Sequence, residues 1–438
     1  MLSSEMEGGR FKVYLFNITN ADRFKSGEDE KLKLEEVGPF TYVEYRTHDL
    51  LEMDSVAHEM RYTPRMRSVF IPEESIARPE DVPVTMPNIP MLSATAMLRQ
   101  SPYIVRSLFT LMAKQLNSKP IVTMNADKYL WGYSDPVLSV AHKVAPGLIH
   151  FNSTGVMDRL YDRSTEYRMT LGTADDNKFG IKSVKVLRKM KVFNSEDLAE
   201  SISTFNDTYE GMAYPPKVTT ETPINIYRVG ICKSFAMEFS GRKTSEYGPN
   251  AFIYKFSNKT LVNEKLCDSK GSCPFGMLDM SSCFFGLPLG VTQGHFLGAD
   301  PKLLDRIEGL SPDVDNHTSY IVIEPKIGLT LETSLSIQVN IVLGDIDYNS
   351  EVRRFSDMVL PIAHFKIKQP NLPGIAVRAL KMMYITVPSA LIIVEVVLFI
   401  LGMGLLTYAL KLYCSIWTSA DQDTKTWHII NAPLIINK

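Results

Sequence analysis

The 26 residues from Ile385 to Leu410, ITVPSALIIVEVVLFILGMGLLTYAL, carry one charge, Glu395. As a helix rising about 1.5 Å per residue the run is about 39 Å long. That crosses a hydrocarbon core of roughly 30 Å and leaves residues for the interface or for tilt. A chain with such a segment is a membrane protein, and 384 of its residues precede the span while 28 follow it. The expected organisation is a lumenal or extracellular β-rich ectodomain over 1–384, a transmembrane helix over 385–410 and a cytoplasmic tail over 411–438.

Two features before the span point to a non-cytosolic compartment. Five Asn-x-Thr sequons, at Asn17, Asn152, Asn206, Asn258 and Asn316, all precede it, and such sites take glycan only in a lumenal or extracellular space. Cys232, Cys267, Cys273 and Cys283 fall within one 52-residue stretch. An even, clustered set suggests disulfides, with three pairings open, and buried reduced cysteines as the alternative. The spacing does not resemble the paired C-x-x-C of a zinc site. Against these stands the N-terminus, MLSSEMEGGRFKVYLFNITN, which shows no signal peptide. Arg378 and Lys381 before the span nearly balance Lys411 and Lys425 after it, so flanking charge does not set orientation.

A hydrophobic content of 45%, a charged content of 22% and a net charge of −2 describe a globular body and exclude a nucleic-acid binder. Period-two alternation in Phe11–Leu15, Ile181–Val186 and Ser319–Ile323 predicts strands. Val37-Gly38-Pro39 and Tyr247-Gly248-Pro249-Asn250 read as turns between such runs. The expected fold class is α+β, with a mainly antiparallel sheet or barrel.

Leu92 to Asn117 is the exception, with helical content divided at Ser101-Pro102, an N-cap followed by Pro. In the second helix Ile104, Val105, Leu108, Leu111, Met112 and Leu116 make one apolar stripe, expected to be buried. No acid occurs from Val82 through Ala126, whereas Arg99, Arg106, Lys114 and Lys119 supply four positive charges. Such a patch can steer anionic lipid, lipoprotein or an acidic partner; a solvated helix face is the plainer reading.

Catalytic motifs are missing: His58-Glu59 lacks a second zincin His, and there is no G-x-S-x-G, G-x-G-x-x-G or P-loop. Asp313-x-Asp315 with Glu324 imitates a calcium loop, but Thr318 stands at the turn position that needs Gly. No enzyme, cofactor or metal is expected.

The segments FKVYLFNITN, EVGPFTYVEYR, LWGYSDPVL, TFNDTYEGMAYPP, ICKS, FGMLDMSSC and EPKIGLTLETSLSIQVNI, in this order from Phe11 to the span, resemble landmarks of the class B scavenger receptor family. The resemblance implies a glycosylated antiparallel β-barrel ectodomain with an inserted helical bundle at the end far from the membrane, where Leu92–Asn117 falls. It implies disulfides Cys232–Cys283 and Cys267–Cys273, and recognition of lipids, lipoproteins or other anionic ligands with movement of lipid through an apolar tunnel to the bilayer. The family pattern has two membrane anchors, and this chain begins where the first should end, so an N-terminally incomplete or alternatively started form is expected. Arg99, Arg106, Lys114 and Lys119 are the expected ligand-binding residues.

A second reading comes from the tail. Asn431-Ala432-Pro433-Leu434-Ile435 looks like the dileucine-type sorting signal of the lysosomal branch, with Leu434 and Ile435 its core, although Ile430 stands where an acid belongs. In that reading the chain is an endolysosomal trafficking receptor for a protein cargo bound at the helical apex, rather than a plasma-membrane protein. Residues 91–120 hold no His, so imidazole-driven release within them has no support. Cys414, four residues past the span, is placed for palmitoylation. Glu395 is the residue to test for contact with the first anchor or with another copy in a homo-oligomer.

Overall fold

The computed structural model describes residues 5–144, 149, 151–161, 165–192, 195–247, 250–257, 275–284 and 286–430. The chain opens with β1 (Met6–Ile18), α1 (Ala21–Ser26), β2 (Leu32–Asp54), β3 (Glu59–Phe70) and β4 (Pro83–Pro87). Next come α2 (Ile89–Leu98), α3 (Tyr103–Gln115), β5 (Ile121–Asn125), α4 (Ala126–Trp131), α5 (Pro136–Val144) and α6 (Val156–Leu160). Six strands follow: β6 (Thr165–Gly172), β7 (Ile181–Val192), β8 (Ser195–Thr204), β9 (Thr208–Tyr209), β10 (Ile224–Arg228) and β11 (Lys233–Thr244). The last part of the sheet holds β12 (Asn250–Phe256), β13 (Leu278–Asp279), β14 (Leu289–Gln293), β15 (Ile307–Glu308), α7 (Val314–His317), β16 (Tyr320–Glu324), β17 (Leu329–Val342) and β18 (Val359–Lys368). The chain ends in α8 (Gly374–Lys381), a π-helical turn over Met382–Thr386 and α9 (Val387–Ile430).

Sixteen strands form one sheet, ordered β8-β7-β6-β3-β2-β1-β18-β17-β16-β12-β11-β10-β9, with β13, β14 and β15 attached beside this path. The three alternating runs fall in β1, β7 and β16 as expected. The expected closed barrel is corrected: between the two ends of the path, the described residues show only an isolated bridge, Gly180 to Tyr209. β9 is two residues long, too short to carry a ladder back to β8. Among the described pairings, all are antiparallel apart from β9 with β10 and β15 with β2.

Val37-Gly38-Pro39 is not a turn but lies inside β2, opposite a register shift between Val13 and Leu15 of β1. A Cβ on Gly38 would sit 2.7 Å from the Val13 carbonyl oxygen, and its φ is +153°. Only glycine allows β1 so close there.

The helical insert divides at Ser101-Pro102 as expected, into α2 and α3, but it does not stop at Asn117. α4 and α5 follow after β5, so several short helices share the region in place of one continuous insert. The α3 stripe is also corrected. Ile104, Val105, Leu108 and Leu111 are 42 to 70% exposed, while Phe109 and Ala113 are the buried residues of this helix. Packing uses the narrow face built on Phe109 and Ala113, one turn apart, and turns the larger aliphatics outward.

The chain separates into two compact units, one over Met1–Lys243 with Asn250–Asn371 and one over Thr244–Pro249 with Leu372–Lys438. The second contains a helix over Gly374–Ser419 that is long and apolar enough to cross a membrane, with none of its apolar window buried. It begins before Ile385 and runs past Leu410, so the expected span is the apolar middle of a longer helix.

Candidate functional site: an apolar double cavity

β17 sorts its side chains by alternation. Leu335, Ile337, Val339 and Ile341 point to one face, and Ser336, Gln338 and Asn340 to the other, with Val339 pairing Ala363 and Ile337 pairing Phe365 of β18. The apolar face walls an inner cavity of about 670 Å³, counting space open to solvent. Ile362, Phe365 and Ile367 continue this wall, and Leu160 of α6, Ile231, Met280 and Phe284 close it. Cys232 and Cys283 form a disulfide, and it ties together the neighbours Ile231 and Phe284 of that lining.

A second, outer cavity of about 1040 Å³ lies among α2, α3 and α5, lined by Met97, Leu98, Phe109, Met112, Leu138 and Ala141 among others. Ile89, Thr154 and Leu287 line both cavities, so the chambers adjoin at a waist walled by these three side chains. Apart from Thr154 the outer lining is entirely apolar.

A buried polar knot fixes the helices around the outer chamber. The Asp135 carboxylate, 5% exposed, accepts hydrogen bonds from Asn88 Nδ2 at 2.8 Å, Ser118 Oγ at 2.8 Å and the Val137 N–H at 2.8 Å. The Tyr133 hydroxyl accepts from the Ile89 N–H at 2.9 Å. The start of α2, the end of α3 and the start of α5 thus converge on the LWGYSDP segment. Its Asp-Pro pair carries a legible N-cap signal, which the motif reading above did not use.

The four cations do not form one exposed patch. Lys114 and Lys119 are exposed, whereas Arg99 and Arg106 are partly buried. Arg106 lies over the Tyr348 ring at 5.2 Å, and its Nε is buried without a partner. Arg99 packs so closely on Gly344 that a Cβ there would meet its guanidinium. Two cations therefore face solvent beside the exposed Ile104, Leu108 and Leu111.

Behind β17 the sheet carries a different chemistry. Ser336, Gln338 and Asn340 are buried, and beside them His295, His317 and His364 bring a ring nitrogen each within 4.8 Å of one another. Glu36 Oε1 lies 2.7 Å from His364 Nδ1 and 3.2 Å from His295 Nε2. Burial pushes the Glu36 carboxyl up, but the imidazole donors of His295 and His364 outweigh it and hold it at about 2. The backbone N–H groups of Ser311 and Asp313 donate to Nδ1 of His295 and His317, both at 3.0 Å. Since an amide N–H can only donate, both Nδ1 atoms are acceptors and the ring protons sit on Nε2. A metal-ligating imidazole offers one bare nitrogen, Nδ1 or Nε2; in His295 and His317 the Nδ1 lone pair is taken by a backbone N–H and Nε2 carries the proton, so this wiring does not fit a cation.

Ser336 Oγ lies 2.8 Å from His364 Nε2, which with Glu36 reproduces a hydrogen-bonded nucleophile relay. A Cβ placed on Gly294 would fall 2.6 Å from both Ser336 Oγ and His364 Nε2. Backbone thus fills the position an acyl carbon would take, and the relay is a packed structural element. The calcium-like pattern is likewise occupied: Asp313 caps α7 through the Asp315 N–H, and Glu324 accepts from the Lys326 and Ile327 N–H groups.

Among the sequons, Asn152, Asn206 and Asn316 are exposed. Asn17 is half-buried in β1, with its Oδ1 accepting from the Thr85 N–H at 2.7 Å. Cys414 is a free, exposed thiol. Asn258, Cys267, Cys273, Leu434 and Ile435 lie outside the described residues. The apolar tunnel was expected without residues to line it, and the Asp135 knot and the histidine cluster had no counterpart among the expected sites; the chamber linings and the histidine cluster join residues distant in the chain.

A large sheet with apolar cavities, in a chain that also bears one exposed helix long and apolar enough to cross a bilayer, defines the class as a membrane protein. A model of the CD36 family matches residues 8–413, and the chain belongs to that family. It is 26% identical over 363 residues to Lysosome membrane protein 2 of Homo sapiens, covering 81% of this chain and 73% of that protein. Similarity to Scavenger receptor class B member 1 is 24% over 405 residues for the Bos taurus protein, covering 90% and 77%, and 23% over 435 residues for that of Sus scrofa, covering 96% and 83%.

Proposed function

We propose that this chain is a scavenger-type membrane receptor that captures lipids, lipoproteins or other anionic particles near α3 and passes lipid through the two chambers for delivery to the bilayer. The observation that carries the reading is the waist at Ile89, Thr154 and Leu287, where an outer chamber beside the exposed helices meets an inner one along β17 and β18. An enclosed apolar path spares an acyl, sterol or carotenoid chain its contact with water, at about 0.8 kcal/mol per CH₂. Lys114 and Lys119 supply the attraction for anionic surfaces, and Ile104, Leu108 and Leu111 supply apolar contact once the particle arrives. The plasma membrane is the proposed site of action.

The test is uptake of a fluorescent lipid, by cells displaying this chain, from vesicles with and without phosphatidylserine. Saturable uptake that is faster from the anionic vesicles is expected; uptake equal to that of untransfected cells would remove the reading. The aliphatic row on α3 also favours a second one, an endosomal or lysosomal receptor holding a protein cargo on that face. Capture of a folded protein that Ile104→Glu abolishes, with lipid uptake absent, would select it.

A further inference from the structure

Gly309–Thr318, ten of the eleven residues between β15 and β16, form a strap over the polar side of β17 and β18, and Ser319 after it is bonded to Gln293 and Ser336. His317 is its only buried side chain, while Ser311, Pro312, Val314, Asp315 and Asn316 are exposed. Among the described residues, a hydrogen bond from the Ser311 N–H to His295 Nδ1, at 3.0 Å, joins the strap to the sheet body. His317 also stacks on His295, with centroids 4.2 Å apart and planes 12° from parallel, and meets His364 edge-on at 5.3 Å, while Leu310 at the start of the strap packs against the core. The Ser311 bond and the His317–His295 stack depend on neutral imidazole, so the part free to leave is the stretch beyond Leu310.

A proton added to Nδ1 of His295 turns that acceptor into a donor pointing at the Ser311 N–H, so the bond is lost. The same proton on His317 sets N–H against the Asp313 N–H. Charging both rings puts like charges face to face. Glu36 of β2 is the carboxylate against His295 and His364, and it can offset one imidazolium only. The other groups facing the cluster are Lys366 of β18, which opposes a charge on His317, Asp313 of the strap, which favours one, and Tyr14 of β1 stacked on His364.

We propose that Gly309–Thr318 is an acid-released strap, docked while His295 and His317 are neutral and freed beyond Leu310 when either ring takes up a proton. Burial, with the neighbouring rings and Lys366, holds His317 down to about 4. A ring whose folded value is depressed favours docking fully above the unfolded value of 6.5, and that contribution fades as pH falls towards 4. Release uncovers His364, fully buried in the docked state, where His317 meets it edge-on with centroids 5.3 Å apart.

The test is hydrogen–deuterium exchange on the full chain in detergent between pH 7.5 and pH 4, corrected for intrinsic exchange. Protection of the strap peptide should fall by about tenfold or more on acidification while β1 and β17 stay protected. The double variant His295→Asn, His317→Asn keeps an acceptor near each Nδ1 without a titrating proton, and should hold the strap closed at both ends of the range. On the wild-type chain, the loss of protection must coincide with titration of the ring C2 hydrogens of His295 or His317. A strap that stays protected at pH 4, variants that open as the wild type does, or a release midpoint apart from the ring titrations would each overturn the proposal, and the last needs no folded variant.

Discussion

Leu287 stands where the two chambers meet, 8% exposed and lining both. Replacing it by Trp puts an indole into the waist beside Ile89 and Thr154. Overfilling a packed core typically costs about 1–3 kcal/mol. Here the new ring has void on both sides, which places the cost at the low end, about 1 kcal/mol, or a melting shift of about 2–4 °C. The protein should therefore fold and reach the membrane. Passage is another matter, because an acyl chain must displace the indole. If that adds as little as about 1.4 kcal/mol to the barrier, transfer slows about tenfold. Leu287→Ala is the control: it widens the waist at a stability cost of about 2 kcal/mol, the lower end for such truncations, since part of its surroundings is already empty. Fluorescent-lipid uptake, normalised to surface protein, should fall steeply for Leu287→Trp and hold for Leu287→Ala, with particle binding to the α3 region intact in both. Unchanged uptake by correctly displayed Leu287→Trp would refute the route through the waist.

Other outcomes follow from the same geometry. Lys114→Gln with Lys119→Gln should weaken capture of anionic vesicles without moving the melting temperature, whereas Arg106→Ala should lower stability by about 0.5–1 kcal/mol through its lost contact with Tyr348. Replacing Cys232 and Cys283 by Ser opens a bridge between residues 51 apart and should cost about 4 kcal/mol in the chain-entropy account, read by denaturant unfolding. Glu36 has its folded value depressed to about 2, so its contribution is present above its ordinary 4.5 and lost as pH falls through 2. Glu36→Gln should remove that part of the acid limb in unfolding measured between pH 5 and pH 2. Glycopeptide mass spectrometry should find occupancy higher at the exposed Asn152 and Asn206 than at Asn17, half-buried and bonded to β4 through its Oδ1.

Local signals were the readable part of this sequence. Strands β1, β7 and β16 announce themselves by alternation, the break between α2 and α3 by Ser101-Pro102, and the long helix by its uninterrupted apolar run, because each signal sits in consecutive residues. Which face of α3 packs was not readable. Ile104, Leu108 and Leu111 make the better stripe by spacing, yet Phe109 and Ala113 meet the core, a choice made by neighbours outside the helix. Gly38 shows a turn-like composition doing another job, letting β1 approach inside a strand. The chambers and the Glu36 cluster were illegible because their members lie far apart in the chain, as Glu36 and His364 do at a separation of 328 residues, whereas the partners of Asp135 lie at most 47 residues from it and are brought together by the packing of α2, α3 and α5. A strand pattern marks Ser336, Gln338 and Asn340 as facing away from the apolar side, but cannot tell a buried polar layer from a wet surface.

The central claim is that lipid occupies the interior of the sheet. Photo-crosslinking the full-length protein in membranes with a diazirine-bearing fatty acid, followed by peptide mapping, tests it most directly. Labels on Met97 or Met112 in the outer chamber, on Leu287 at the waist and on Met280 or Ile337 in the inner one are the expected result, diminished by excess unlabelled lipid. Labelling confined to the exposed helix between Gly374 and Ser419, with those positions clean, would contradict the account.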